Sequence, residues 1–422
     1  MRAKLIWAVL FMVTAIFLSL YIFSTLQPAQ ITAGALEYFS EEQIILGRQY
    51  SRERQLWYLA GLLVRILALT ALAIGPGAVA CERYALQATR GHRAGAILLF
   101  FLIVWVVLQL LNLPFSYYRS YVLEQRWGFS TQFLSDWLQD YVKSAALDLV
   151  FSALGAILFF SLLKRWPETW WAPASLLMVA WIAIQTLLWP TLVAPIYNRF
   201  EVVQDSDLKA AVHQLAARAK IPVEEVLVMD ASRRTSKANA YFAGLGNTKR
   251  IVLYDTLLAN FSREEIEAVI AHEMAHWQLG HIRSGVLLGG LAGVTQFYLL
   301  AMVLKPLAAD VYPGCYPLRV WTVALLFIVL TSFVTTPVQT AISRRMERAA
   351  DRQAVRLTGN PDGAIALQLN LASRNYSDIM PPQFIEWFAY THPSTWRRIK
   401  LLEMAKQNDT GFLQLDSGQK QP

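Results

Sequence analysis

The chain has 422 residues, of which 55% are hydrophobic and 16% charged, and its mean hydropathy is +0.35. That balance excludes an ordinary soluble protein and points to a polytopic membrane protein. The net charge of +8 does not mark a nucleic-acid binder, because Lys and Arg sit at the margins of apolar runs, where they face anionic lipid.

Apolar stretches of about twenty residues, enough to cross a bilayer as a helix, are predicted at residues 5–26, 57–80, 94–113, 145–163, 172–193, 285–304 and 318–334. The first follows Met1-Arg2-Ala3-Lys4. It outruns the roughly 7 to 15 residues of a signal-peptide core, so it is expected to remain as an uncleaved anchor. Arg65 and Asp148 fall inside spans and are expected to face protein or water. The chain thus divides into a membrane part (1–196, five spans), a polar segment (197–283), two further spans (284–340) and a polar tail (341–422). Cys81 and Cys315 are the two cysteines, which excludes a disulfide framework and a cysteine-rich zinc cage.

Within the polar segment the pattern predicts a helix over 207–220, a strand over 225–229 and a hairpin. The hairpin's arms are 239–242 and 250–254, around Gly244-Leu245-Gly246-Asn247. Ser262-Arg263-Glu264-Glu265 then spells a capping box ahead of the apolar positions Ile266, Val269 and Ile270.

That capped helix carries His272-Glu273-Met274-Ala275-His276, the HExxH pattern. Positions four apart share a helix face, so the two imidazoles can grip one ion. A catalytic zinc takes three protein ligands and leaves one position for water. Glu273, beside the first ligand, is placed to take that water's proton. The third ligand has to come from elsewhere. Two crossings separate the HExxH helix from the tail, so tail residues return to the same side of the membrane. Glu347 is the foremost candidate, in Arg344-Arg345-Met346-Glu347-Arg348-Ala349-Ala350-Asp351. Asp351, one turn later, can accept a ligand histidine's second ring N–H. A rival is Asp362, because Asn360-Pro361-Asp362-Gly363 resembles the Asp-bearing motif of intramembrane site-2 proteases. Their HExxH lies inside an apolar span, however, whereas this one precedes its span, and Pro361-Asp362 also suits the start of a helix.

These residues resemble the type I CAAX prenyl endopeptidases, membrane-integrated relatives of the gluzincin zinc proteases. The resemblance extends to Leu113-Pro114-Phe115-Ser116-Tyr117-Tyr118, Glu124, Gly128-Phe129, Pro195-Ile196-Tyr197-Asn198-Arg199-Phe200, Asn239-Ala240-Tyr241, and Thr391-His392-Pro393 followed by Arg398. It implies a mainly α fold, in which about seven transmembrane helices form a chambered barrel capped by a small α+β zinc metalloprotease domain. One zinc per chain would be held by His272, His276 and Glu347, with Asp351 behind them. The resemblance further implies that Asn239, Ala240 and Tyr241 hold an extended peptide, that His392 stabilises the oxyanion and that Arg398 supports it. His92, His213 and His281 are left as surface or structural residues. Relatives of this kind cut prenylated CAAX proteins, lumenal precursors or unfolded chains. Nothing in the sequence marks a prenyl pocket, so quality control of membrane proteins is as strong an expectation.

Two other classes compete with a hydrolase: a membrane scaffold with structural zinc, and a seven-helix transporter. An intact Glu273 argues against the first, because a structural site gains nothing from a base. Ionisable residues concentrated outside the spans argue against the second. Given an uncleaved first span and seven crossings, an N-terminus outside puts the protease domain and tail in the cytoplasm, as the resemblance also implies. The membrane is expected to be the bacterial cell membrane, or the endoplasmic reticulum in a eukaryotic host.

Overall fold

The structure, a computed structural model, describes residues 2–223, 225–243, 250–308 and 316–407. The predicted Gly244 to Asn247 turn and Cys315 lie outside the described residues. Six helices are long and apolar enough to span a bilayer: Arg2–Thr25, Glu41–Ile74, Arg93–Arg126, Leu134–Arg165, His281–Leu307 and Val320–Thr358. The pair Trp171–Thr186 and Trp189–Tyr197, bent by 48°, makes a seventh span if it is counted as one. The bend coincides with a π turn, Trp189–Val193, that carries Pro190, a usual cause of such kinks.

The second span stops at Ile74 rather than running to residue 80. Pro76 has no N–H to continue the ladder and holds Gly75 extended (φ −80, ψ 165), so a new helix, Pro76–Ala88, starts there. The last span overshoots the membrane. Its 39 residues reach roughly 58 Å and carry Arg344, Glu347 and Asp351 beyond the apolar stretch.

The polar segment forms a four-stranded sheet from β1 (Phe200–Val202), β2 (Glu225–Met229), β3 (Ala240–Ala243) and β4 (Arg250–Tyr254), in the order β1-β2-β4-β3. The predicted 225–229 strand is β2, and the hairpin arms are β3 and β4, paired antiparallel. β2 runs parallel to β4 and antiparallel to β1, which leaves β3 at an edge. The sheet and the helix Ser206–Ala219 pack on the HExxH helix, Arg263–Gln278. Their shared core includes Val212, Leu215, Ile251, Leu253, Ile270 and Met274. Ala35 and Phe39, from the segment after the first span, and Ile44, from the first turn of the Glu41–Ile74 helix, enter the same core.

The membrane helices enclose a chamber. One cavity of about 310 Å³ is lined by Arg65, Gln109, Asn112 and Asp148, so both ionisable residues predicted inside spans face an internal space. Asp148 accepts hydrogen bonds from Trp105 Nε1 at 2.8 Å, Gln109 Nε2 at 2.9 Å and Ser152 Oγ at 3.2 Å. A separate groove of about 680 Å³ is walled by Tyr50 and Arg54 of the Glu41–Ile74 helix and by Asn239, Glu273 and His392.

Candidate active site

The capping box predicted for the HExxH helix forms. Ser262 Oγ accepts from the Glu265 N–H, and Glu265 Oε2 accepts from the Ser262 N–H at 2.6 Å. With its first turn satisfied, the helix presents His272 and His276 to the extension of the Val320–Thr358 helix. His272 Nε2 lies 3.1 Å from His276 Nε2 and 3.1 Å from Glu347 Oε2, and His276 Nε2 lies 3.5 Å from Glu347 Oε1. Two basic nitrogens and a carboxylate aimed at one point repel unless a cation or protons lie between them. Metal–ligand bonds of about 2.0–2.1 Å in a tetrahedron place ligand atoms roughly 3.3 Å apart, so the donor set fits zinc in both chemistry and spacing. Asp362 lies outside this cluster: it is exposed at the start of the Pro361–Arg374 helix and pairs with Lys406 Nζ at 2.7 Å.

Both imidazoles are backed. His272 Nδ1 faces Asp351 Oδ1 at 3.0 Å, and Arg398 clamps that carboxylate with Nε at 2.9 Å and Nη2 at 2.5 Å. A forked guanidinium–carboxylate pair of this kind fixes orientation as well as charge. His276 Nδ1 meets His281 Nδ1 at 2.9 Å. Sequence reasoning missed this contact. Its signal is a third histidine just beyond Gly280, whose left-handed φ of +68 turns the chain back toward the site. His92 has a different task, capping its helix by accepting from the Gly95 N–H.

Glu273 lines the groove, and burial raises its pKa while His272 and His276 pull it down. His392 Nε2 lies 3.2 Å from Glu347 Oε2, and about half its side chain opens onto the groove (53% exposed). Burial lowers its pKa despite the pull of Glu347, so the ring is neutral near pH 7. Arg344, also missed from sequence, holds the turn before His392. Its guanidinium donates to the carbonyls of Glu386 at 2.8 Å, Trp387 at 3.1 Å and Tyr390 at 2.6 Å, at the C-terminal end of the Gln383–Ala389 helix, where cations are favoured. Asn239 and Glu273 both line the groove, with Ala240 and Tyr241 following Asn239 on edge strand β3.

A chambered helical membrane domain closed by an HExxH-and-glutamate centre defines a membrane-integrated zinc metalloprotease. Residues 203–406 match the model of peptidase family M48, and residues 24–199 match that of the CAAX prenyl protease N-terminal region, described by five membrane helices. An uncharacterized metalloprotease of Bacillus subtilis, YhfN, is 31% identical over 72% of this chain and 72% of its own. CAAX prenyl protease 1 of Saccharomyces cerevisiae is 30% identical, over 71% of this chain and 70% of its own. The crystal structure of S. mikatae Ste24p matches with a TM-score of 0.81 and 26% identity, covering 93% of this chain and 97% of that one. The chain belongs to the CAAX prenyl protease branch of peptidase family M48, and is a zinc-dependent, multi-pass membrane metalloprotease.

Proposed function

We propose that the chain hydrolyses peptide bonds of membrane-associated proteins, prenylated CAAX-type or misfolded ones, at the centre built from His272, Glu273, His276 and Glu347. The observation that carries this reading is the convergence of the two Nε2 atoms and the Glu347 carboxylate within 3.1 to 3.5 Å, beside a groove of about 680 Å³. One zinc per chain, held by His272, His276 and Glu347, supplies Lewis acidity that brings the pKa of water to about 7.

The protein's own groups do the rest. Glu273 accepts the proton of the attacking water, and its burial-raised pKa suits a base working near neutral pH. It can then deliver that proton to the departing amine. His392, neutral and with Thr391 Oγ1 3.0 Å from its Nδ1, donates Nε2–H where negative charge develops on the carbonyl oxygen. Arg398 acts through Asp351 to hold the His272 ring. The edge of β3, with Asn239, Ala240 and Tyr241, takes the substrate as an added strand.

On this proposal the protease domain is assembled from 197–283 and 341–422, around membrane parts 1–196 and 284–340. It faces the cytoplasm, because five crossings separate it from an N-terminus outside. The membrane is that of a bacterial cell, a placement supported by the Bacillus subtilis relative; its eukaryotic counterpart is the endoplasmic reticulum.

The test is digestion of prenylated and unprenylated peptides by the purified protein. Both are expected to be cut, chelator to stop cutting and added zinc to restore it. Cutting that persists after zinc has been removed would overturn the reading.

A further inference from the structure

The Val320–Thr358 helix carries no charged side chain from 320 to 343, and then Arg344, Arg345, Arg348 and Arg352 within about two turns. Arg319 marks the other end of the span. From it, Arg345 and Arg348 stand about 39 and 44 Å along the helix axis. The hydrocarbon core of a bilayer is about 30 Å thick, and about 40–45 Å with its headgroup layers. Both arginines therefore lie at headgroup depth. Trp387, whose carbonyl accepts from Arg344, is exposed beside them, and tryptophan gathers at this boundary.

The stripe faces away from the chamber. Trp321 and Leu325 of the same helix line the internal cavity, and Leu325 is separated from Arg345 by about 200° of rotation. Val338, two turns nearer the span and on the Arg345 face, is exposed. Arg345 is exposed and Arg348 half-buried. Arg348 lies within electrostatic reach of Arg352, Arg344, Arg345 and Arg397, so positive charge is crowded here. The neighbouring carboxylates are committed: Glu347 to His272, Asp351 to Arg398, and Glu386 to Arg397 at 3.3 Å and the Ser394 N–H at 3.0 Å. Among the described residues none forms an ion pair with Arg345 or Arg348. Like charges crowded at a membrane surface without a counter-charge call for an anion from outside the chain. Two guanidiniums at i and i+3 suit a phosphate, which each can grip with a forked pair of N–H groups.

We propose that Arg345 and Arg348 bind the phosphate of an anionic phospholipid on the protease-domain side of the membrane. Their depth, and the apolar Val338 face against which an acyl chain can lie, select a lipid over a soluble phosphate. The proposal stands apart from the proteolytic reading, since neither arginine belongs to the active site.

The experiment presents the purified, zinc-loaded full chain in detergent with phosphatidylglycerol, phosphatidylcholine or inorganic phosphate, and counts the bound molecules by native mass spectrometry. The parent protein is expected to hold one phosphatidylglycerol, on the order of 10-fold or more tighter than phosphatidylcholine. Millimolar inorganic phosphate should not displace it. The double variant Arg345→Gln, Arg348→Gln should lose the preference, and Arg356→Gln, about 12 Å beyond Arg348, should keep it. Zinc content reports whether each variant folds; if the double variant loses zinc, Arg345→Gln alone is used, and should lose most of the preference. Parent protein that holds the two lipids equally overturns the inference without any variant. So does a folded Arg345 variant that keeps the preference, an Arg356→Gln protein that loses it, or displacement of the lipid by millimolar phosphate.

Discussion

His272 serves the site with both ring nitrogens, Nε2 toward His276 and Glu347 and Nδ1 toward Asp351. Burial works against a positive charge on it, but Asp351 and Glu347 outweigh burial and raise its pKa to about 9 in the metal-free protein. The ring therefore keeps its proton up to about pH 9, and an arriving zinc must displace it. Below that pH, affinity is expected to fall by roughly tenfold per pH unit for each proton displaced, and above it the dependence fades. Zinc added to metal-free protein near neutral pH should release at least about one proton, seen with an indicator dye; no release would contradict the arrangement. The third ligand is tested separately. Glu347→Ala removes an oxygen from the converging set and should purify with little zinc. Asp362→Ala touches an exposed helix start that Asn360 already caps through the Gly363 N–H at 2.9 Å, so it should keep nearly full zinc and lose no more than about 1 kcal/mol of stability. Metal analysis of the two proteins decides, and the reverse pattern would assign the ligand to Asp362.

At the scale of elements, two adjacent residues bring the Glu41–Ile74 helix hard against the tail. Gly47 lets the backbones touch: a Cβ there would lie 2.1 Å from the Ser377 carbonyl oxygen. Arg48, next to it, pairs with Asp378 at 3.0 Å with both side chains 3% exposed. It also donates to the carbonyls of Ser24 and Thr25 at 2.8 Å and of Gln27 at 3.0 Å, at the C-terminal end of the first span. One guanidinium thus ties the first span, the second span and the tail. Arg48→Ala should cost about 3–5 kcal/mol by leaving Asp378 buried without its partner, while Arg48→Met with Asp378→Leu should cost less. Thermal unfolding in detergent measures both, and equal loss in the two proteins would contradict the account.

These contacts also explain what was legible beforehand. The Ser262 to His276 stretch was legible because cap, periodicity and ligand spacing are local. Glu347 was reachable by counting crossings, since two spans bring the chain back. Gly47 and Arg344 were not legible, because their partners, Ser377 and the Glu386 to Tyr390 carbonyls, are set by tertiary packing, whereas the His281 contact with the His276 ring is local and its signal, a histidine just beyond Gly280, was missed. Three-residue β1 is too short to show alternation, and no local pattern announces that β2 pairs parallel with β4.

For the whole molecule, the long Val320–Thr358 helix carries an apolar span and the Glu347 and Asp351 side chains of the site on one continuous element. On the proposed orientation, with the N-terminus outside a bacterial cell membrane, a protease added to intact spheroplasts should leave a C-terminal epitope uncut and should trim it once the membrane is opened. Trimming in intact spheroplasts would reverse the orientation. Glu273 tests the central claim most directly, because it alone in the HExxH motif is assigned to the water and not to the ion. Glu273→Gln keeps the shape and a hydrogen-bonding amide but cannot take a proton. Metal content and peptide cleavage are to be measured on one preparation of this variant. The account predicts about one zinc per chain, with cleavage reduced on the order of 10²-fold or more; a zinc-loaded Glu273→Gln protein that cuts at the parental rate would contradict it.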